Sequence, residues 1–276
     1  MFFSVCVNRP SIRVFLAPLT PFFVSLREKN KLIFIDWGLG SGSIMTDKKY
    51  KIAILIFPGV TQLDFTGPAE VLARMPDADI TLVWKTLDPI SSQFGLKYYP
   101  DSTIFDTVQY DLILVPGGFD CAHLMVDSSI LIWLQKQAEA AEYLTSVCTG
   151  SLVLAAAGLL DGYKAGCHWG WAEHLRKFGA KPTRERVVID RNRITAGGVT
   201  SGIDFGLAIV ERRCGLDLAE QIILSIEYDP APSAGGLPET ARTEIVDLAR
   251  NRIFELNMAG GHLEMIDEAA LKFSVV

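Results

Sequence analysis

Apolar residues along the chain alternate between short continuous runs and longer segments with helical spacing. The continuous runs at 51–57, 80–86, 112–115 and 144–147 predict strands buried on both faces. Helical patterns cover 65–74, 130–141, 151–157, 169–178, 202–214 and 219–228. Segments 187–190 and 193–196 predict two more strands joined by Arg191 and Asn192. Strands separated by helices predict an α/β fold: a flavodoxin-like or Rossmann-like, mostly parallel sheet with helices on both faces, in a single domain.

The two ends of the chain differ from this regular middle. Residues 1–44 show no sustained helix or strand periodicity and end in a Gly/Ser-rich stretch. This pattern indicates that Met45 is the natural start of the protein. We expect 1–44 to be an extension that is disordered or a start-site artefact; the alternative is a strand or helix packed on the domain. The α/β domain then covers 45–276 and includes a Pro-rich loop, 229–238, followed by a helix over 238–256.

Composition limits the classes of partner. Of 276 residues, 49% are hydrophobic and 21% are charged, which allows a sizeable core. The net charge is −6 and the chain has no basic stripe, so nucleic acid and anionic membranes are poor partners. No apolar stretch of about 20 residues occurs, so no membrane-spanning helix is expected. The five cysteines are scattered and form no metal-ligand motif, so we predict neither disulfides nor a structural zinc site. This use of cysteine favours a location in the reducing cytoplasm.

Cys148 is the leading candidate for chemistry. A β-prone run stops at this residue and a helix-prone run of small residues begins at once, which predicts a sharp strand-to-helix turn at the carboxyl edge of the sheet. A helix N-terminus there would lower the thiol pKa and favour the nucleophilic thiolate. The alternative is a small buried hydrophobic residue. Three other cysteines lack such a turn and are interpreted as structural: Cys121, Cys167 and Cys214.

Two further turns are expected to meet Cys148 at the same edge, because ligands of open α/β sheets bind beyond the carboxyl ends of the strands. The turn after the first strand contributes Asp64, and the turn after 112–115 contributes Gly117 and Gly118. Each has a purely structural alternative. Asp64 is in a position to cap the next helix, Thr149 to cap the helix after Cys148, and the glycines to form a tight turn.

Three segments together resemble the PfpI-type superfamily, which is class I glutamine amidotransferase-like: 57–64 (FPGVTQLD), 115–118 (VPGG) and 147–150 (VCTG). Within it, Asp64, the Cys148-Thr149 pair and three more segments resemble isocyanide hydratases: 166–169 (GCHW), 196–204 (AGGVTSGID) and 226–232 (IEYDPAP). The resemblance runs from about residue 51 to about residue 252.

The resemblance implies a lyase that adds water to an isocyanide and gives an N-substituted formamide. Cys148 would attack and form a thioimidate, and Asp64 would act as general acid and then position or deprotonate the attacking water. The Thr149 hydroxyl would orient Asp64 or the water. The reaction requires no metal and no organic cofactor, its substrate is a small molecule, and the superfamily implies a homodimer.

The resemblance also assigns supporting residues. Backbone N–H groups of Gly117, Gly118 and Thr149 would stabilise developing charge. A second set would line the substrate pocket: His168, Trp169, Gly198 and Thr200. On its position alone, His168 is interpreted as a packing residue rather than a base.

This chain differs from other branches of the superfamily at several positions, and these differences bear on which alternative functions remain. Peptidases and glyoxalases commonly carry His where this chain has Thr149, and deglycases usually carry Glu near the position of Asp64. Regulators of the arabinose-operon type append a DNA-binding domain, whereas only about 60 residues follow Cys214. The alternatives that remain are a glyoxalase or deglycase and a non-enzymatic redox sensor or regulatory binding protein that uses Cys148.

Overall fold

The computed structural model describes residues 23–28, 31–36 and 49–274, and the chain divides into two compact units, 1–49 and 50–276. In the first unit, β1 (Phe23–Glu28) pairs antiparallel with β2 (Lys31–Asp36). The sequence did not predict these two strands, because neither is flanked by a sustained pattern. The other residues of 1–44 lie outside the described part of the chain. The prediction that 1–44 is a disordered or artefactual extension therefore stays a prediction.

A seven-stranded sheet forms the centre of the second unit. Its strands, in spatial order, are β12 (Val187–Asp190), β13 (Arg193–Ala196), β9 (Tyr143–Val147), β8 (Leu112–Val115), β3 (Tyr50–Leu55), β4 (Ala78–Trp84) and β7 (Ser102–Thr103). All neighbours are parallel except β12 and β13, which form a hairpin. The mostly parallel α/β fold predicted from the sequence is therefore confirmed. Two small two-stranded sheets flank it: β5 (Ile90–Ser91) with β6 (Lys97–Tyr98), and β10 (Lys164–Ala165) with β11 (Lys181–Pro182).

Helices cover both faces of this sheet. Those described are α1 (Gln62–Leu72), α2 (Cys121–Met125), α3 (Ser128–Ala138), α4 (Gly150–Ala156), α5 (Ser201–Cys214), α6 (Leu216–Ser225), α7 (Thr243–Gly260) and α8 (His262–Phe273). α1 packs on α5, and α5 packs on α6; α4 contacts α2, α3 and α8. None of the helices in the described part is both long and apolar enough to cross a lipid bilayer.

Several boundaries differ from the sequence prediction. α1 begins at Gln62, three residues before the predicted start, so Asp64 lies inside its first turn. The segment predicted as a helix over 169–178 is a 3₁₀ helix confined to Ala172–Phe178. The tail contains two helices instead of one, because Gly261 adopts a left-handed conformation (φ 63°) that ends α7 and starts α8.

The loops after β3, β8 and β9 meet at the carboxyl edge of the sheet. Val60, after β3, forms an isolated antiparallel bridge with Gly118, after β8. The Thr61 N–H also donates to the Gly117 carbonyl oxygen at 2.9 Å. These main-chain bonds fix the two loops to each other beside the turn that follows β9, so the three predicted turns do form one site.

Candidate active site

Cys148 lies at a sharp turn between β9 and α4 and has a positive φ of 59°. Such a conformation costs about 1–3 kcal/mol for a residue with a side chain, and the surrounding structure must hold it. The Cys148 N–H donates to the carbonyl oxygens of Ala196 (3.1 Å) and Gly197 (2.8 Å), which anchors the turn to the end of β13. A Cβ at Gly150 would lie 2.0 Å from the Val115 carbonyl oxygen, so only glycine fits where the turn passes β8.

Asp64 is fully buried beside this turn. Its Oδ2 accepts a hydrogen bond from the Gly117 N–H at 2.8 Å, and its Oδ1 has no hydrogen-bond partner among the described residues. Neither oxygen caps α1, so the helix-cap interpretation of Asp64 is wrong. Burial raises the pKa of Asp64 to about 7, against the opposing effects of the Gly117 N–H and the Cys148 side chain. Asp64 therefore exchanges a proton near neutral pH.

The Cys148 thiol has a raised pKa, not the lowered one expected from its sequence position. Burial is the main cause, and the negative charge of Asp64 adds to it. The Thr149 N–H opposes this effect, but α4 has only seven residues and its dipole is correspondingly weak. With the substrate absent, Cys148 and Asp64 thus form a buried pair in which the thiol holds its proton and the carboxyl group titrates.

Thr149 contacts Gly118 rather than capping α4. Its hydroxyl accepts a hydrogen bond from the Gly118 N–H at 3.1 Å and lies 3.3 Å from the Gly118 carbonyl oxygen, to which it can donate. No side-chain cap bond to α4 is present, so the cap interpretation of Thr149 is wrong. A Cβ at Gly117 would lie 2.7 Å from both Asp64 Oδ2 and Thr149 Oγ1. Glycine at 117 is therefore what lets the carboxylate and the hydroxyl converge.

The backbone N–H groups expected to stabilise charge have other acceptors at two of three positions. The Gly117 N–H is bonded to Asp64 and the Gly118 N–H to Thr149. These two N–H groups orient the side chains of Asp64 and Thr149. The prediction that they stabilise charge on the substrate is therefore corrected. Of the three, only the Thr149 N–H acts on a reacting atom, the Cys148 sulfur.

Two other cysteines lie near the Cys148–Asp64 pair. Cys121 and Cys167 are both buried, and burial raises the pKa of Cys121 to about 12 and also raises that of Cys167. The Cys121 thiol is 3.7 Å from the Pro116 carbonyl oxygen. Both thiols stay protonated at neutral pH, in keeping with the structural role inferred from the sequence. The four cysteines in the described part of the chain are all free.

A cavity of about 540 Å³ opens onto Cys148. Cys148 and Thr149 line it together with His168 and Trp169, as predicted. Gly198 and Thr200 do not line it. They belong to a neighbouring cavity of about 610 Å³ behind His168, and Val199 is the residue of that segment that reaches the Cys148 cavity.

His168 forms part of the cavity wall without the properties of a base. Its Nδ1 accepts a hydrogen bond from the Gly170 N–H at 3.2 Å, so the neutral ring carries its proton on Nε2. Burial lowers the pKa of His168, which keeps the ring neutral. A buried network supports this segment: Ser151 donates to the Gly166 carbonyl oxygen and the Gly166 N–H donates to Thr195 Oγ1.

The sequence did not assign the remaining wall of the cavity. Phe119 and Trp171 add aromatic surface, and α7 contributes Ala249, Arg252, Ile253 and Leu256. The apolar spacing of Ile253 and Leu256 signalled a face that must be buried, but not what it would cover. The structure shows that this face of α7 forms part of the wall of the Cys148 cavity.

Comparison with known proteins identifies the family. The DJ-1/PfpI family matches residues 50–212, more than half of the chain. The chain belongs to the DJ-1/PfpI family. This agrees with the superfamily inferred from the motifs around Asp64, Gly117 and Cys148.

Individual members of this family resemble the chain to different degrees. An isonitrile hydratase of Pseudomonas putida is 48% identical over 203 residues, which are 73% of this chain and 89% of that protein. The crystal structure of a ThiJ/PfpI family protein from Pseudomonas syringae has a TM-score of 0.74 at 39% identity and covers 80% of this chain and 90% of its own. Drosophila melanogaster DJ-1beta, at 20% identity and a TM-score of 0.60 over 65% of this chain and 98% of its own, shares the fold.

Proposed function

We propose that this chain is an isocyanide hydratase-like lyase that adds water to an isocyanide and releases an N-substituted formamide. The observation that carries the proposal is the buried pair of Cys148 and Asp64, whose carboxyl group has a pKa of about 7. A nucleophile next to a group that both accepts and donates a proton near neutral pH suits an addition that needs both transfers. The identity of 48% with an isonitrile hydratase supports the same reaction.

The first half of the reaction forms a thioimidate. Ionised Asp64 takes the proton of the Cys148 thiol as the sulfur attacks the terminal isocyanide carbon, which forms the C–S bond. Asp64 then donates that proton to the same carbon, giving R–N=CH–S–Cys148. The raised thiol pKa makes this coupled transfer necessary, because a free thiolate is scarce before the substrate binds.

The second half consumes water. The Asp64 carboxylate removes a proton from a water molecule, and the resulting hydroxide attacks the thioimidate carbon. The nitrogen takes the proton held by Asp64, which gives R–NH–CH(OH)–S–Cys148. The C–S bond then breaks as the hydroxyl group loses its proton to Asp64, R–NH–CHO leaves, and Asp64 passes that proton to the departing Cys148 thiolate. Thr149 contributes through its N–H, which acts on the sulfur in both its attacking and leaving states.

The cavity suits a substrate with an apolar substituent. Its walls include Trp169, Trp171 and Phe119, and Arg252 is the one charged side chain among the described residues that line it. An uncharged aryl or alkyl isocyanide fits such a site better than a charged sugar adduct. Thr149 at the position that commonly holds His in glyoxalases also favours hydration over the glyoxalase alternative.

One assay distinguishes the candidate functions. Purified full-length protein is given an aryl or alkyl isocyanide, or methylglyoxal, in parallel reactions, and products are identified by mass spectrometry. We expect the N-substituted formamide from the isocyanide and no turnover of methylglyoxal. Turnover of methylglyoxal alone would favour a glyoxalase. Loss of both activities together with rapid peroxide oxidation of Cys148 would favour the redox sensor.

We also propose that the protein is a homodimer. Ile253 and Leu256 of α7 line the Cys148 cavity, whereas Ile245 and Leu248 of the same helix are 44% and 65% exposed. An apolar helix face left open to solvent is typical of an interface. Light scattering at micromolar concentration should report about twice the 30.3 kDa chain mass.

Matched variants test where the interface lies. Leu248→Glu should reduce the mass to that of one chain, whereas Leu271→Glu on α8, which is 71% exposed, should not. A monomeric parent protein would refute the dimer and leave α7 as a cover within one chain. Deletion of 1–44 should change neither the mass ratio nor the activity, and loss of either would show that this segment belongs to the working protein.

A further inference from the structure

We propose that Asp120, His123 and His262 form a binding site for a divalent transition-metal ion, best suited to Zn²⁺. One ligand atom from each of the three side chains lies within 4.8 Å of the others. Asp120 immediately precedes α2, His123 lies within α2, and His262 is the first residue of α8. The packing of α2 on α8 therefore brings together residues that lie far apart along the chain.

A second observation points to a missing ligand. His262 is only 4% exposed, and its Nδ1 has no hydrogen-bond partner among the described residues. A buried polar nitrogen without a partner is unfavourable, and native structures rarely tolerate one without a compensating ion or water. The side chains of Asp120 and His123 also make no hydrogen bond or ion pair within the described part of the chain, so both are available to coordinate.

The ligand types select the class of metal. Two imidazoles and one carboxylate are a common set of three protein ligands for zinc, with water in the fourth position. Imidazole also suits copper, nickel and cobalt, whereas calcium and magnesium prefer sites built from oxygen ligands alone. In a tetrahedral zinc site the ligand atoms are about 3.4 Å apart, so separations of up to 4.8 Å in the cluster must shorten by up to about 1.4 Å. The exposed His123 and the half-buried Asp120 have the freedom to do so.

The position of the cluster beside the Cys148 cavity indicates what a bound ion would do. Asp120 follows Phe119, which lines the Cys148 cavity, and His262 follows the end of α7, which also lines it. An ion held by all three ligands would fix the junction of α7 and α8 to the loop after β8. Such an ion would brace the cavity wall and keep a water in its fourth position, and it takes no part in the chemistry at Cys148.

Metal titration of the full-length protein tests the site. After treatment with a chelator and its removal, ZnCl₂ is titrated in competition with a chromophoric zinc indicator, and thermal unfolding is followed with and without zinc. We expect one Zn²⁺ per chain with micromolar or tighter affinity and a higher melting temperature with zinc. Magnesium and calcium should have no effect. Co²⁺ should give the intense visible absorption bands of tetrahedral coordination.

Variants locate the ion. His123→Ala removes an exposed side chain and should weaken zinc binding at least tenfold and abolish the zinc-dependent rise in melting temperature, and Asp120→Asn should act in the same direction. His174→Ala, which changes a histidine outside the cluster, and Cys148→Ala should both bind zinc like the parent protein. The proposal is overturned if the parent binds no zinc, if His123→Ala binds it unchanged, or if Cys148→Ala loses the ion.

Discussion

Cys148→Ala is expected to abolish isocyanide hydration while the protein stays folded. Alanine fits the same turn and leaves the backbone bonds of residue 148 to Ala196 and Gly197 in place, but it removes the sulfur that forms the thioimidate. Turnover should fall to the uncatalysed rate, measured as formamide production at saturating isocyanide. Circular dichroism and thermal unfolding should remain close to those of the parent protein.

A matched cysteine variant controls for the general loss of a thiol. Cys214 is exposed and does not line the cavity, so Cys214→Ser should keep full activity. Intact-mass analysis during turnover should detect a substrate adduct on the parent protein and on Cys214→Ser, and none on Cys148→Ala. Residual activity of Cys148→Ala above about a tenth of the parent value would rule out Cys148 as the nucleophile.

Asp64→Asn should reduce turnover by about 10²- to 10⁴-fold, the usual contribution of a positioned proton-transfer group. Asparagine keeps the size of the side chain and an oxygen for the Gly117 N–H, but it cannot accept the Cys148 proton. In the parent protein, kcat/KM should fall as the pH drops through about 7, because protonated Asp64 cannot accept that proton. Unchanged turnover in Asp64→Asn would exclude Asp64 from the chemistry.

The same substitution should alter stability in a pH-dependent way. The pKa of Asp64 is raised from 3.8 to about 7 on folding, so its protonated form favours the folded state below about pH 4, and this contribution is lost as the pH rises through 7. Asp64→Asn removes that loss. Relative to the parent, the variant should therefore gain about 2–3 kcal/mol of stability between pH 5 and pH 8, measured as the free energy of unfolding in urea. A pH-independent difference would contradict the raised pKa.

A geometric variant completes the test of Asp64. Asp64→Glu keeps the acid but extends it by one methylene group, and the space around Gly117 is already filled by the carboxylate and the Thr149 hydroxyl. Its activity should fall although a carboxyl group is present, since catalysis is sensitive to displacements of about 1 Å. Full activity in Asp64→Glu would mean that the position of the carboxyl group matters less than its charge.

The central sheet was predictable because its strands carry a strong local signal. Strands buried on both faces require continuous apolar runs, and β8 agrees with its predicted range to the residue. β12 and β13 also agree, because the predicted turn at Arg191 and Asn192 fixes where they end and begin. The turn at Cys148 was predictable for the same reason, as an abrupt change from strand to helix pattern. Helix ends were less predictable, since α1 starts in the loop that brings Asp64 to the site and not at the first residue with clear helical spacing.

The chemical state of the site was not predictable from local pattern. The sequence suggested a lowered pKa for Cys148, but burial and the charge of Asp64 raise it. It left Asp64 open as a helix cap, but a loop from another strand supplies the Gly117 N–H that binds it. Each of these effects depends on groups from distant segments, and no residue type or spacing encodes them.

The sequence by itself determined the α/β fold, the strand and turn that carry Cys148, and the two turns that meet it, because apolar periodicity and glycine positions act over a few neighbouring residues. The tertiary structure alone decided which side chains meet there. It placed α7 in the wall of the cavity, moved Gly198 and Thr200 to a neighbouring one, and brought Asp120 and His123 to His262. Burial and electrostatic interaction depend on distance in space, and only packing sets that distance.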